Sequence, residues 1–385
     1  MTESVIGAYG PWAAALLGDG PGQLSLRTGN WHDLDAWRAI GRARVMEKLA
    51  PPPAHDPVVE TVRAYAHDGL WTEELRWTQP GGPPTHATLL RPADQDGPLP
   101  GVLAFHDHGG MKVIGHERIA DTDAPPHPIT AAYRDVAYGG VAWANELARR
   151  GYVVLAADAF PFASRRVRLA DVPESMRRDP QHPERTLADG LDEDAVRAYD
   201  RWAGWHESIM AKSLFSAGTS WPGVWLREDI TSLDILIKRP EVDPERLGCV
   251  GLSLGGLRTV YMGGLDPRIK CAVCAGMMMT WRDLVLNKSV NHTWMIYIPR
   301  MAHDLDYPEI LGLRAPLPTL VLNNREDPLF TLPEMERADR MLTDVFARAG
   351  APDRYETRFY PGGHKFDLAM QADAFDWFDR WLKDA

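Results

Sequence analysis

The sequence contains no basic run, and nowhere does it hold 18 consecutive apolar residues. With a formal net charge of −11, the first lack argues against a nucleic-acid or anionic-membrane partner, since either would be repelled. The second leaves no candidate for a membrane-spanning helix. Cysteine is scarce as well: Cys249, Cys271 and Cys274 are odd in number and irregularly spaced in apolar surroundings, which speaks against a disulfide framework and for reduced core residues. The leading stretch MTESVIGAYGPWAAALL has no basic start and is broken by Gly7, Gly10 and Pro11, so no signal peptide is expected and the expected location is the cytoplasm. Internal repeats and low-complexity tracts are also missing. What is present is a chain of 385 residues, 45% hydrophobic and 25% charged, with ample material for a buried core.

Residues 1–57 read as a helical extension: Asn30 is the expected cap of a helix through WHDLDAWRAIGRARVMEKLA, and Pro51-Pro52-Pro53 stops it. Three segments, roughly 58–66, 70–78 and 85–92, are punctuated by Gly, Pro and Asp and predict antiparallel strands. From Gly101 onward, short apolar runs (GVLAFH, YVVLAADAF, RLGCVGLS, KCAVCAG, PTLVLNN, YETRFY) alternate with helical stretches. This alternation predicts an α/β fold with a mostly parallel central sheet flanked by helices. Between about 162 and 221 the chain is rich in charge and poor in apolar periodicity. It reads as an insertion, either a solvated excursion or a lid-like pocket wall.

The stretch Gly251-Leu252-Ser253-Leu254-Gly255 follows an apolar strand and precedes a segment able to begin a helix. In that context Gly-x-Ser-x-Gly forms a strained turn that pushes the serine hydroxyl out of the sheet. Gly256 adds room where the helix packs back on the sheet. A serine hydroxyl needs a base, and the base needs a carboxylate. Downstream, PTLVLNNREDPLF and YETRFYPGGHKF are each a strand followed by a loop, the first bearing Glu326 and Asp327 and the second His364. Of 13 histidines, His364 is the best placed, because Gly362 and Gly363 let its loop bend and a helix follows to anchor it. Asp327 is preferred over Glu326, its shorter side chain before Pro328 suiting a fixed loop.

An oxyanion formed at this serine needs preorganised N–H donors. Leu254 supplies one by its position, and the loop His106-Asp107-His108-Gly109-Gly110 offers another through the backbone of His108. The same His106-x-His108, with His116 and Glu117 downstream, also has the look of a metal-ligand pattern. That reading lacks a remaining ligand set and leaves the ordered Ser, Asp and His unexplained; Glu117 is expected to pair with Arg118. Met277-Met278-Met279 reads as core or as an acyl-pocket lining, and Arg165 and Arg166 as an ion pair, a solvated face or a carboxylate anchor.

FHDHGG, RPEVDPERLGCVGLSLGG, LVLNNREDPLF and FYPGGHKF together resemble the α/β-hydrolase superfamily, and within it the dienelactone hydrolase and acetyl xylan esterase-like branch, over residues 58–385. The resemblance implies an α/β-hydrolase domain, a catalytic triad of Ser253, Asp327 and His364, and oxyanion donors at His108 and Leu254. It implies no metal and no organic cofactor. Dienelactone hydrolases use a cysteine nucleophile, so a serine esterase acting on a small-molecule ester is the closer match. An amidase or peptidase and a carbon-carbon bond hydrolase could use the same triad, and a non-catalytic binding module would be marked by loss of a triad member. The extra N-terminal helices leave room for a homo-oligomer.

Overall fold

Apolar side chains on both sides of a strand demand cover on both sides of the sheet, and the central strands carry that pattern. In β5 (Val153–Ala157), Val153 and Leu155 enter one core cluster while Val154 and Ala156 enter another. The computed structural model describes residues 4–18, 20–95 and 97–383; the extreme ends of the expected 1–57 and 58–385 spans lie outside the described residues. Among the described residues the sheet has nine strands in the order β1-β2-β3-β5-β4-β6-β7-β8-β9. β1 (Val59–His67), β2 (Leu70–Trp77) and β3 (Thr85–Pro92) are antiparallel, as is the β3–β5 pairing. β4 (Leu99–Phe105), β5, β6 (Val242–Leu252), β7 (Cys271–Ala275), β8 (Thr319–Asn324) and β9 (Tyr355–Tyr360) run parallel.

One face of the sheet is covered by helices Trp221–Ile237, Leu254–Leu265, Tyr307–Gly312 and Leu332–Arg348, the other by Trp143–Arg149 and Leu368–Phe378. Such two-sided cover is what buries a parallel sheet. The three cysteines are free and buried, and Met277, Met278 and Met279 are core residues. No helix of the described residues is long and apolar enough to cross a membrane.

Two local expectations are corrected. The helix Leu34–Leu49 is capped by Asp33, whose side chain accepts from Asp35 N at 2.9 Å and Ala36 N at 3.1 Å. Asn30 is one turn too early, and a carboxylate also suits the positive end of the helix dipole. This helix lies on the core that covers the sheet: Trp37, Val45 and Leu49 are buried, and Arg42 donates to Gly264 O and Leu313 O. Arg118 pairs with Asp107, and Glu117 is not its partner, because the loop folds back so that the guanidinium lies under Asp107.

The 162–221 segment is exposed over most of 170–195 and packed against the protein elsewhere. It contains a 24-residue helix, Glu193–Ser216, capped by Asp192. Val196, Tyr199, Trp202 and Ala203 of this helix join Val113, Ile114, Leu169 and Leu187 in a separate buried cluster. Arg165, at the start of the segment, is an internal ion pair, its Nη2 2.7 Å from Glu228 Oε1.

Candidate active site

The residues singled out from the sequence converge at the carboxyl ends of neighbouring parallel strands, where a crevice forms in folds of this kind. Ser253 follows β6 and begins the helix Leu254–Leu265. Its backbone sits at φ 58°, ψ −117°, a strained conformation for a residue with a Cβ. Although it occupies the cap position, its side chain makes no capping hydrogen bond. The hydroxyl of a capping-type residue is therefore not committed to the helix.

Close approach of backbone explains the flanking glycines. A Cβ on Gly251 would lie 2.6 Å from Phe105 O, and one on Gly256 would lie 2.7 Å from Ala275 O. A Cβ on Gly255 would be 3.2 Å from His106 O, so the first turn of this helix packs directly on the start of the His106–Gly110 loop. The helix is held from behind by Arg258, whose Nε lies 3.0 Å from Asp229 Oδ2 and whose guanidinium lies 4.3 Å from the Phe105 ring centroid.

His364 and Asp327 sit on the loops after β9 and β8. His364 Nδ1 lies 2.6 Å from Asp327 Oδ2, and Asp327 Oδ1 accepts from Leu329 N at 2.9 Å. Glu326 faces elsewhere: its carboxylate accepts from Gly362 N, and its own N–H donates to Gly362 O. The imidazole rests against the turn after β7, where a Cβ on Gly276 would come within 3.1 Å of His364 Cε1. Ser253 N donates to Ala275 O at 2.8 Å in the same turn. Ser253 and His364 are thus seated on one stretch of backbone. Gly276 is a site residue that the sequence reading missed; a glycine just past a strand of this sheet was the available signal.

In the His106–Gly110 loop, Gly109 and Gly110 have φ of 55° and 71°, the left-handed region that turns successive amides inward. Leu254 is the first helical residue, whose N–H has no acceptor within the helix. Among the described residues, no hydrogen-bond acceptor is paired with His108 N–H. The loop is anchored by Asp107, buried and bonded to the Tyr133 hydroxyl, to the Tyr138 hydroxyl at 2.5 Å and to Arg118 at 3.3 Å. Burial opposes its charge, but Arg118 and the two phenols outweigh that and hold its pKa below the usual carboxylate range.

The histidines of the metal-like pattern have separate protein partners. His106 Nε2 accepts from Ala159 N at 3.1 Å, so its proton is on Nδ1, facing Asp107 O. Burial, with Arg118 and Arg258 nearby, pushes its pKa down to about 3. His108 Nε2 faces Glu207, and His116 Nδ1 faces Asp158. Among the described residues, no cluster of three or more His, Cys, Asp or Glu could hold a metal ion. Glu207, Lys112, Thr293 and His292 also surround the site and were not legible beforehand. The ring of His292 is 5.2 Å from that of Phe330, which in turn is 6.5 Å from His364.

The strand order, the strained serine between β6 and its helix, and the loops after β4, β8 and β9 make this an α/β-hydrolase fold. No model of a known protein family matches the chain. Over 350 residues it is 27% identical to YtaP of Bacillus subtilis (strain 168), provisionally described as a hydrolase, spanning 90% of this chain and 100% of that one. Among solved structures, it is similar to a protein of Bacteroides fragilis NCTC 9343 provisionally described as an acetyl xylan esterase. The TM-score is 0.67 at 17% identity, covering 92% of this chain and 82% of that one. It is also similar to the glucuronoyl esterase from Solibacter usitatus, with a TM-score of 0.60 at 16% identity, covering 93% and 97%. At these identities the structural likeness is one of fold.

Proposed function

We propose that the chain is a serine hydrolase that cleaves a carboxylic ester of a small molecule through an acyl-enzyme. The observation that carries this reading is the pairing of a strained, uncapped Ser253 with a His364–Asp327 couple 2.6 Å apart on the same crevice. Asp327 keeps the His364 proton on Nδ1, leaving Nε2 free to take the Ser253 proton as Oγ attacks the ester carbonyl. The N–H groups of Leu254 and His108 meet the oxyanion, and protonated His364 returns its proton to the leaving alcohol. Water repeats the sequence on the acyl-enzyme and frees the acid. This chemistry uses no metal or organic cofactor. The esterase descriptions carried by the fold neighbours support an ester over an amide.

In this reading, residues 58–385 form the hydrolase domain, 1–57 are an extension fixed to it, and 162–221 form a pocket wall. Three buried free cysteines fit a cytoplasmic location, and the net charge of −11 fits a small-molecule substrate without a nucleic-acid or membrane-surface partner. Size-exclusion chromatography of the full chain tests for a homo-oligomer formed through the N-terminal extension. A panel of p-nitrophenyl esters of increasing acyl length, assayed with wild type and Ser253→Ala and with and without a chelator, tests the proposal. Hydrolysis that is lost in the alanine variant and survives chelation is expected. Equal hydrolysis by both proteins refutes it.

A further inference from the structure

The insertion helix Glu193–Ser216 carries a buried carboxylate that the reaction above does not use. Glu207, with a side chain 7% exposed, accepts four hydrogen bonds from two other parts of the chain. Its Oε1 faces His108 Nε2 at 2.9 Å and takes the Lys112 ammonium; its Oε2 takes Thr293 Oγ1 at 2.5 Å and Trp294 N at 3.2 Å. Burial alone would raise the Glu207 pKa, but the His108 hydrogen bond and Lys112 outweigh it and hold the value at about 2. The second ring nitrogen of His108, Nδ1, accepts from Gly110 N at 3.0 Å. That contact fixes the tautomer: Nδ1 accepts, so Nε2 carries the proton and donates to Glu207. The imidazole is therefore a neutral strut between the insertion helix and the backbone of its own loop.

We propose that Glu207 is a positioning residue for the oxyanion loop, acting through the His108 ring to fix the peptide N–H at 108 against the reacting carbonyl. The inference rests on the serine-hydrolase reading above. A buried ion pair is weak evidence for a stabilising role, because its replacement by apolar groups is often neutral or stabilising. Geometry accounts for the arrangement: the strut ties the loop that must hold the oxyanion to the insertion helix, through Gly110 N at one ring nitrogen and Glu207 at the other, and a displacement of about 1 Å in such a group can cost on the order of 100-fold in rate. The same carboxylate grips Thr293 and Trp294, so the insertion, the oxyanion loop and the segment around 293 share one anchor.

The test uses the full chain. Glu207→Gln would keep an oxygen able to accept from His108 Nε2, and Glu207→Leu alone would strand the Lys112 ammonium, so the informative variant is the double Lys112→Met, Glu207→Leu; His108→Phe cuts the strut at its other end while leaving the backbone N–H in place. Each is assayed with p-nitrophenyl acetate and with phenylboronic acid, whose tetrahedral serine adduct places an oxygen in the oxyanion position. Both variants are expected to lose roughly 10- to 100-fold in kcat, with boronate affinity falling in parallel and KM nearly unchanged. The pH–rate profile should keep its shape, which a general loosening of the site would not allow. Combining the changes should be non-additive, since both sever one link. Wild-type kcat and boronate affinity in either folded variant, or additive losses, overturn the proposal; if the double variant does not fold, His108→Phe decides alone. A wild type insensitive to phenylboronic acid, with full hydrolysis by Ser253→Ala, instead overturns the serine-hydrolase reading and this inference with it.

Discussion

Asp327→Asn is the most demanding test of the site, because the structure dictates which way the new amide must face. Asp327 Oδ1 accepts from Leu329 N at 2.9 Å and Oδ2 lies 2.6 Å from His364 Nδ1, in a residue only 4% exposed. An asparagine that keeps its carbonyl oxygen on Leu329 N must turn its NH2 toward His364. The opposite orientation sets N–H against N–H in a buried loop, which costs about 1–3 kcal/mol. With the amide facing it, His364 must accept at Nδ1 and carry its proton on Nε2, the nitrogen that has to receive the Ser253 proton. In a serine protease triad this wrong tautomer lowers kcat by about 10,000-fold, equivalent to roughly 5 kcal/mol of transition-state stabilisation. The change is nearly isosteric, so the protein should still unfold cooperatively. Initial rates with a p-nitrophenyl ester, measured beside Glu326→Gln, give the answer. Glu326 is committed to Gly362 N, and its glutamine variant should stay close to wild type. Activity of Asp327→Asn within about tenfold of wild type, far short of the tautomer penalty, would refute the reasoning, as would equal damage in Glu326→Gln.

Gly109→Ala would place a Cβ 2.7 Å from Asp107 Oδ2 and 2.8 Å from Tyr133 Cζ at a φ of 55°. It should lower kcat by about 100-fold or more if the loop supplies an oxyanion donor, and full activity in a folded variant would count against that role. Ser253→Gly should be inactive yet more stable than Ser253→Ala by about 1 kcal/mol in urea unfolding, because only glycine relaxes at φ 58°. Equal stability of the two would mean the elbow stores no strain. His106 has a folded pKa of about 3 against an ordinary 6.5, so its contribution to stability is complete above 6.5 and is lost as pH falls toward 3. Over that window, wild type should lose roughly 1.4 kcal/mol per pH unit relative to His106→Gln, and a pH-independent difference between the two would rule out a buried neutral imidazole.

The triad candidates were legible because their chemistry needs particular residue types at the ends of successive strands, and local sequence marks those ends. Ser253 is announced by its glycines and the apolar strand before it, and His364 by the glycines that bend its loop. Even the preference for Asp327 over Glu326 followed from side-chain length at a fixed loop, and the two carboxylates do face different partners. The anchors were not legible, because their partners are remote in the chain. Glu207 meets Lys112, His108 and Thr293 across 95, 99 and 86 residues. The insertion helix was hidden for a different reason: acidic residues such as Asp200 and Glu207 fall within its buried half, where they are satisfied by loop amides and cations, and they dilute the apolar period that would reveal it. Asn30 and Asp33 are both good caps, and only the three-dimensional path of the chain decides between them.

Three buried charge pairs lie behind the candidate site, and each backs a different wall of it. Arg258 and Asp229 brace the helix that begins at Ser253. Arg118 and Asp107, with two tyrosine hydroxyls, hold the base of the His106–Gly110 loop. Lys112 and Glu207 hold its outer end. Desolvation makes such pairs poor contributors to net stability, and apolar replacements of similar volume can do as well or better. What a charge pair supplies that an apolar contact does not is direction: a guanidinium or carboxylate bonded on several sides has one satisfied orientation, and a slipped one leaves a buried charge exposed to its full penalty. A reaction that depends on aiming two backbone N–H groups and one strained serine at a single carbonyl needs that directionality. In the proposed reaction the buried charges fall where aim matters, on the helix that begins at Ser253 and at both ends of the His106–Gly110 loop, and the penalty of a slipped charge is what keeps that aim.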